Sequence, residues 1–201
     1  FENRYKFRAR NKNYWRQIKL PKKKILVVLG GTSREREVSL ESAKSCIAAL
    51  KKTGYQVSKF DPKFLPISEI GKIDVDVIFN ALHGKGGEDG RVQSFFEYFR
   101  IPYTHSGVLS SMITMNKYFS KQLFIKNRIR TPNYFFLNRK DYLSVNLMKK
   151  IKKNKLNFPI VIKPNDEGSS IGVKICKNLN SLKTQFKKSN NNYDNLIFET
   201  Y

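Results

Sequence analysis

The apolar positions of the chain fall into a continuous run and then into alternating and helical periods. Ile25 to Leu29, within KKILVVLGG, is an unbroken apolar run closed by Gly30 and Gly31, and it predicts a strand buried on both faces of a parallel sheet. SLESAKSCIAAL then places Leu40, Ala43, Ile47 and Leu50 at helical spacing, so a helix is predicted over Ser39 to Leu50, stopped by Gly54. YQVSKFDPK alternates as a strand, DVDVIFNAL is a further short strand, and VQSFFEYFR is helical. Alternating strand and helix imply an open α/β sheet with right-handed crossovers.

Beyond Lys117 the texture changes to long basic stretches. NFPIVIKP and IGVKICKN form a hairpin-like pair joined by NDEGSS. A second domain is expected from here, which divides the chain into an extension (1–24), a first α/β domain (25–116) and a second domain (117–201).

Charge bears on this division. Of the net +23, residues 1–24 carry ten Lys or Arg against one acid, residues 25–116 eleven against ten, and residues 117–201 eighteen against five. The basic, aromatic-rich opening segment reads as a solvated arm or a short packed helix, with contact to RNA or anionic lipid as the alternative. No apolar run approaches the ~18 residues that span a bilayer, and no apolar stretch follows the basic start as in a secretory signal. A cytoplasmic protein is expected. Cys46 and Cys176 lie far apart without a histidine cluster, so the sequence indicates neither a disulfide framework nor a zinc site.

In open α/β sheets ligands collect outside the carboxyl ends of the strands, and two polar loops fall there. The first, GGTSREREVS, gathers backbone N–H groups at a helix start through Gly30 and Gly31, which suits a phosphate; Glu35 and Glu37 would instead attract an amine, or simply face the helix dipole. The second, HGKGGEDG, holds His83, four glycines, Glu88 and Asp89, with neither a Walker nor a dinucleotide glycine spacing. A third region sets Lys163 at the end of FPIVIK just before Gly168, Ser169 and Ser170. That turn is either an ordinary hairpin turn or a flexible cover for a triphosphate.

GGTSREREVSL, ALHGKGGEDG, IPYTHSG, TMNKYFSK and VIKPNDEGSSIGV occur in the order and spacing of the D-alanine:D-alanine ligase family of the ATP-grasp superfamily, a resemblance covering residues 24–201. It implies a Rossmann-like first domain of the pre-ATP-grasp type, followed by the small α+β first subdomain of an ATP-grasp fold. The family's C-terminal subdomain, with its magnesium ligands, is expected to be absent, leaving no metal ligand in this chain. The resemblance implies that Glu35 and Ser169 are catalytic: Glu35 holds the ammonium of the first D-alanine, with Val38, Ser39 and His83 also at that substrate, and Ser169 hydrogen-bonds to Glu35 and helps position the groups that handle the proton of the second D-alanine's amine. Lys117 and Lys163 would neutralise ATP phosphates, Glu167, Gly168, Ser169 and Ser170 would cover them, and Glu199 and Tyr201 would lie near adenine.

The implied reaction is ATP- and magnesium-dependent formation of D-alanyl-D-alanine through an acyl phosphate, for peptidoglycan, by a homodimer. This chain alone is expected to be a fragment with little or no turnover. The alternatives are a D-alanine:D-lactate or D-serine ligase, an inactive ATP-grasp remnant and, from another class, a nucleic-acid-binding protein.

Overall fold

The computed structural model describes residues 23–201, so the reading of the basic extension lies outside the described residues except at Lys23 and Lys24. Lys24 already opens the first strand, β1 (Lys24–Val28). The next four residues of β1 are buried, as an uninterrupted apolar run requires, because both sheet faces are covered. β2 (Gln56–Phe60) and β3 (Val77–Asn80) flank β1, both parallel to it, in the order β2-β1-β3. Tyr103 adds a parallel bridge to Ile78 on the outer side of β3.

Helix α1 (Arg36–Lys52) begins three residues before the predicted start at Ser39 and ends at Thr53 and Gly54. Its buried stripe is Ser39, Ala43 and Ile47, a helical repeat of four, with Leu40 and Leu50 packed at its margin. Those residues close over Ile25 and Val27. On the opposite sheet face Leu26 and Val28 meet Phe60, Ile78 and Phe96, the last carried by helix α2 (Arg91–Tyr98). Leu26 is fully buried, and truncating such a residue to alanine costs about 2–5 kcal/mol through lost transfer energy and the cavity left behind.

Two helices lead onward, α3 (Val108–Met115) and α4 (Lys117–Lys126), and the Asn116 side chain caps the second by accepting from Phe119 N–H at 3.0 Å. The remaining strands form an antiparallel sheet in the order β4-β7-β5-β6. β4 is Tyr134–Asn138, β5 Ile160–Pro164, β6 Lys174–Cys176 and β7 Asn195–Thr200. Helices α5 (Leu147–Lys153) and α6 (Leu179–Ser189) share its core, where Phe135 stacks on Phe198 at 4.6 Å between ring centroids.

The expected hairpin exists, with Ile160 opposite Cys176. Its connection runs over residues 165–173, longer than NDEGSS alone. The last strand, β7, enters the middle of the sheet, pairing with both β4 and β5. Among the described residues no helix is long and apolar enough to cross a membrane.

Candidate functional site

Gly30 and Gly31 leave β1 with φ of +74° and +72°, a left-handed backbone that favours glycine. Their N–H groups are already committed. Gly30 N donates to Ser39 Oγ at 2.8 Å and Gly31 N donates to Asp61 Oδ1 at 2.9 Å, while Arg36 pairs with Asp61 at 2.7 Å. A phosphate cradle at these glycines is therefore ruled out in this arrangement. What the loop does instead is deliver Glu35 to the crevice.

Glu35 stands just before α1 with no side-chain capping bond, and it is buried at 4% exposure. Its Oε2 accepts a hydrogen bond from Ser169 Oγ at 2.5 Å, and its Oε1 is buried without a hydrogen-bond partner. Two glycines make room for it: a Cβ on Gly168 would sit 2.7 Å from Oε1, and one on Gly84 2.9 Å from the same oxygen. An unpaired buried carboxylate oxygen is costly unless a cationic donor meets it.

His83 belongs to the same cluster. Its Nδ1 lies 3.8 Å from Glu88 Oε1, while Glu88 Oε2 accepts from Gly84 N–H at 2.7 Å. Glu35, His83 and Glu88 each bring one ligand atom to within 4.8 Å of the others. Two carboxylates and an imidazole so placed suit a cation, and an ammonium or a metal ion satisfies the same electrostatics.

Ser39 and Val38 stand apart from this cluster. Ser39 is fully buried, and its hydroxyl both accepts from Gly30 N–H and donates to Ala81 O at 2.6 Å, bracketing β1 to the end of β3. Val38 is exposed on α1 and does not line the cavity beside Glu35. The structure gives Ser39 a bracing position behind the site rather than a place in it.

Across the crevice Lys117, Lys163, Glu167, Gly168, Ser169, Ser170 and Glu199 line one cavity of about 310 Å³. Ser169 and Ser170 take φ of +44° and +59°, left-handed conformations that non-glycine residues hold only where their surroundings enforce them. Lys117 Nζ donates to the carbonyls of Glu167 and, at 3.4 Å, Asn165. Burial lowers its proton affinity, and neighbouring Lys163 lowers it further. Lys163 Nζ is held by Glu199 Oε1, and Lys121 Nζ lies 2.8 Å from Glu199 Oε2. Burial alone would push the Glu199 carboxyl up; the two lysines outweigh it and hold it below the ordinary range. Tyr201 is exposed and does not line this cavity.

Side-chain contacts join the two halves across the crevice. Besides Ser169 to Glu35, Lys85 of the HGKGGEDG loop pairs with Asp166 at 2.9 Å and Glu167 at 3.7 Å, and Arg34 bonds Tyr193 Oη at 3.1 Å while lying over its ring. Sequence reading missed Lys85, Arg34 and the buried Lys121. Their charge was the only signal, and it does not say which distant acid Lys85 or Lys121 meets or that Arg34 meets a tyrosine.

A parallel α/β unit offers a buried carboxylate facing a hairpin cavity lined by lysines, an arrangement whose charges suit a small cationic group beside a polyanion. The family model described as D-ala D-ala ligase N-terminus matches residues 64–106, and that described as D-ala D-ala ligase C-terminus matches residues 123–201. The chain is 46% identical over 179 residues to a D-alanine--D-alanine ligase of Pelagibacter ubique, an alignment covering 89% of this chain and 58% of that protein. It is 39% identical to that of Buchnera aphidicola, covering 90% and 59%. Among solved structures, the D-alanine--D-alanine ligase of Bacillus anthracis superposes with a TM-score of 0.79 at 36% identity, covering 89% of this chain and 57% of that one, and the same enzyme complexed with ATP at 0.77 and 34%, covering 89% and 58%. The chain belongs to the D-alanine--D-alanine ligase family, and it spans 58% of the Pelagibacter relative it matches.

Proposed function

We propose that this chain is the part of an ATP-dependent D-alanine:D-alanine ligase that holds the first D-alanine and the phosphates of ATP, working in the cytoplasm on the way to peptidoglycan. Residues 25–116 carry the amino acid and residues 117–201 the nucleotide. The observation that carries this reading is the division of labour on Glu35: one oxygen is tied to the Ser169 turn and the other is buried and unpaired.

In this reading the D-alanine ammonium meets Glu35 Oε1, and its carboxylate lies toward His83. Lys117 and Lys163 face the phosphates, and the Gly168 to Ser170 turn covers them. Glu199, expected near adenine, lines the phosphate cavity beside Lys163. A carboxylate is a poor electrophile; phosphorylation makes it an acyl phosphate, the amine of the second D-alanine attacks, and ADP and phosphate leave. The lysines stabilise charge spreading over the transferred phosphoryl group, and the turn excludes water that would hydrolyse the mixed anhydride. Holding one zwitterion in register with the γ-phosphate supplies up to roughly 7–11 kcal/mol of the barrier. Glu167 and Glu199 are engaged by lysines, so magnesium would take its carboxylate ligands from elsewhere in the enzyme. A homodimer is the assembly the resemblance implies.

The test is calorimetric titration of the chain with D-alanine and, separately, with ATP. Saturable binding of both is expected, with D-alanine binding weakened about 10- to 100-fold and ATP binding kept in Glu35→Gln. D-alanine binding that ignores that substitution overturns the reading.

A further inference from the structure

We propose that Lys121 is a positioning residue for the phosphates, acting through Glu199 to leave Lys163 with an uncancelled positive charge. The inference rests on the reading of the lysine-lined cavity as the phosphate site. TMNKYFSK supplies two lysines four residues apart on α4, and their fates differ. Lys117 lines the cavity, whereas Lys121 is buried behind it with 7% of its side chain exposed and does not line it. Its ammonium donates to Thr131 Oγ1 at 2.8 Å and Pro132 O at 3.4 Å, and lies 4.7 Å from the centre of the Tyr134 ring. So anchored, it is not free to swing out to a ligand.

The remaining partner of Lys121 is Glu199. Lys121 Nζ is 2.8 Å from Oε2, and Lys163 Nζ sits on Oε1 of the same carboxylate. Two lysines share one acid, so the cluster keeps a net single positive charge and presents it through Lys163, the one of the two lysines that lines the cavity. Without Lys121, Lys163 and Glu199 become a neutral pair whose attraction holds the amine away from an incoming anion. Lys117 would then face three phosphates alone, and its own protonation is already opposed by burial.

Inorganic triphosphate is the probe, because it lacks adenine and so ignores any contact of Glu199 with the base. Calorimetric titration of the chain should show about tenfold weaker binding in Lys121→Met, the scale of one partly screened charge. Lys121→Arg should bind as the parent does. The double variant Lys121→Met/Glu199→Gln should recover to within about threefold of the parent, because removing the acid frees Lys163, a coupling that a packing role would not produce. D-alanine affinity should stay unchanged in Lys121→Met.

Equal binding by Lys121→Met and the parent, or a double variant as weak as the single, overturns the inference and leaves the ligase reading standing. Failure of the parent chain to bind triphosphate removes both. Should Lys121→Met not fold, the pair Glu199→Gln and Lys121→Met/Glu199→Gln decides: equal affinities support action of Lys121 through Glu199, and unequal ones overturn it.

Discussion

Ser169 Oγ donates to Glu35 Oε2 at 2.5 Å, joining residues 134 apart in sequence. The bond links the Glu35 side of the crevice to the turn over the lysine-lined cavity, and it leaves the other carboxylate oxygen unpaired. Each oxygen can be tested separately.

Replacing Glu35 with glutamine keeps the shape and removes the charge. D-alanine affinity should fall about 10- to 100-fold, the worth of one charge-assisted hydrogen bond, while thermal stability changes little. Ser169→Ala should weaken D-alanine binding less, because the carboxylate keeps its charge. Isothermal titration with a melting curve for each variant checks both.

Gly168 is needed for closeness rather than for backbone freedom, since its added Cβ would lie 2.7 Å from Glu35 Oε1 and its φ is not positive. Gly168→Ala should therefore displace the carboxylate and lower D-alanine affinity by about tenfold without lowering the melting temperature appreciably. A crystal structure of the variant would show Glu35 moved.

Supplied with D-alanine, ATP and magnesium, the 201-residue chain should release little or no ADP above background. A coupled ADP assay reads this directly, and robust turnover would refute the expectation that groups outside these residues complete the chemistry.

Lys117 has a lowered proton affinity, so its charge is lost at a lower pH than the ordinary 10.5. The phosphates bind its protonated form. Triphosphate affinity should thus begin to decline at a pH below the ordinary lysine value of 10.5, an onset that Lys117→Arg should move upward because a guanidinium stays protonated. A titration series across that range decides it.

Glu199 has the opposite sign. Its carboxyl is held below the ordinary 4.5 in the folded state, so its contribution to stability is complete above that value and is lost as pH falls through the lower, folded one. The melting temperature should drop more steeply below about pH 4.5 in the parent than in Glu199→Gln, measured by calorimetry.

The first sheet was legible because its strands are short apolar runs set off by glycines, and local period is what a sequence displays. The helix began earlier than its apolar stripe because Arg36 to Val38 turn helically at the crevice, where no buried apolar residue marks the start. The second sheet was only half legible. Its hairpin is local, but β7 pairs with strands far back in the chain, and such pairing leaves no periodic trace.

At the site, the ordered motifs singled out Glu35, His83, Lys117, Lys163 and the serine turn, and these do gather along one crevice. Ser39 is the instructive exception. It sits in the same motif, yet its hydroxyl is spent on Gly30 and Ala81. A motif marks a neighbourhood, and only coordinates separate the residues facing the ligand from those bracing the wall.

The carboxylate with one bonded and one unpaired oxygen also constrains which cations suit it. A compound offering one ammonium can satisfy the unpaired oxygen and leave the serine contact whole. A guanidinium or amidine seeking both oxygens must evict the hydroxyl, and whatever it gains in charge pairing is set against prising the two lobes apart.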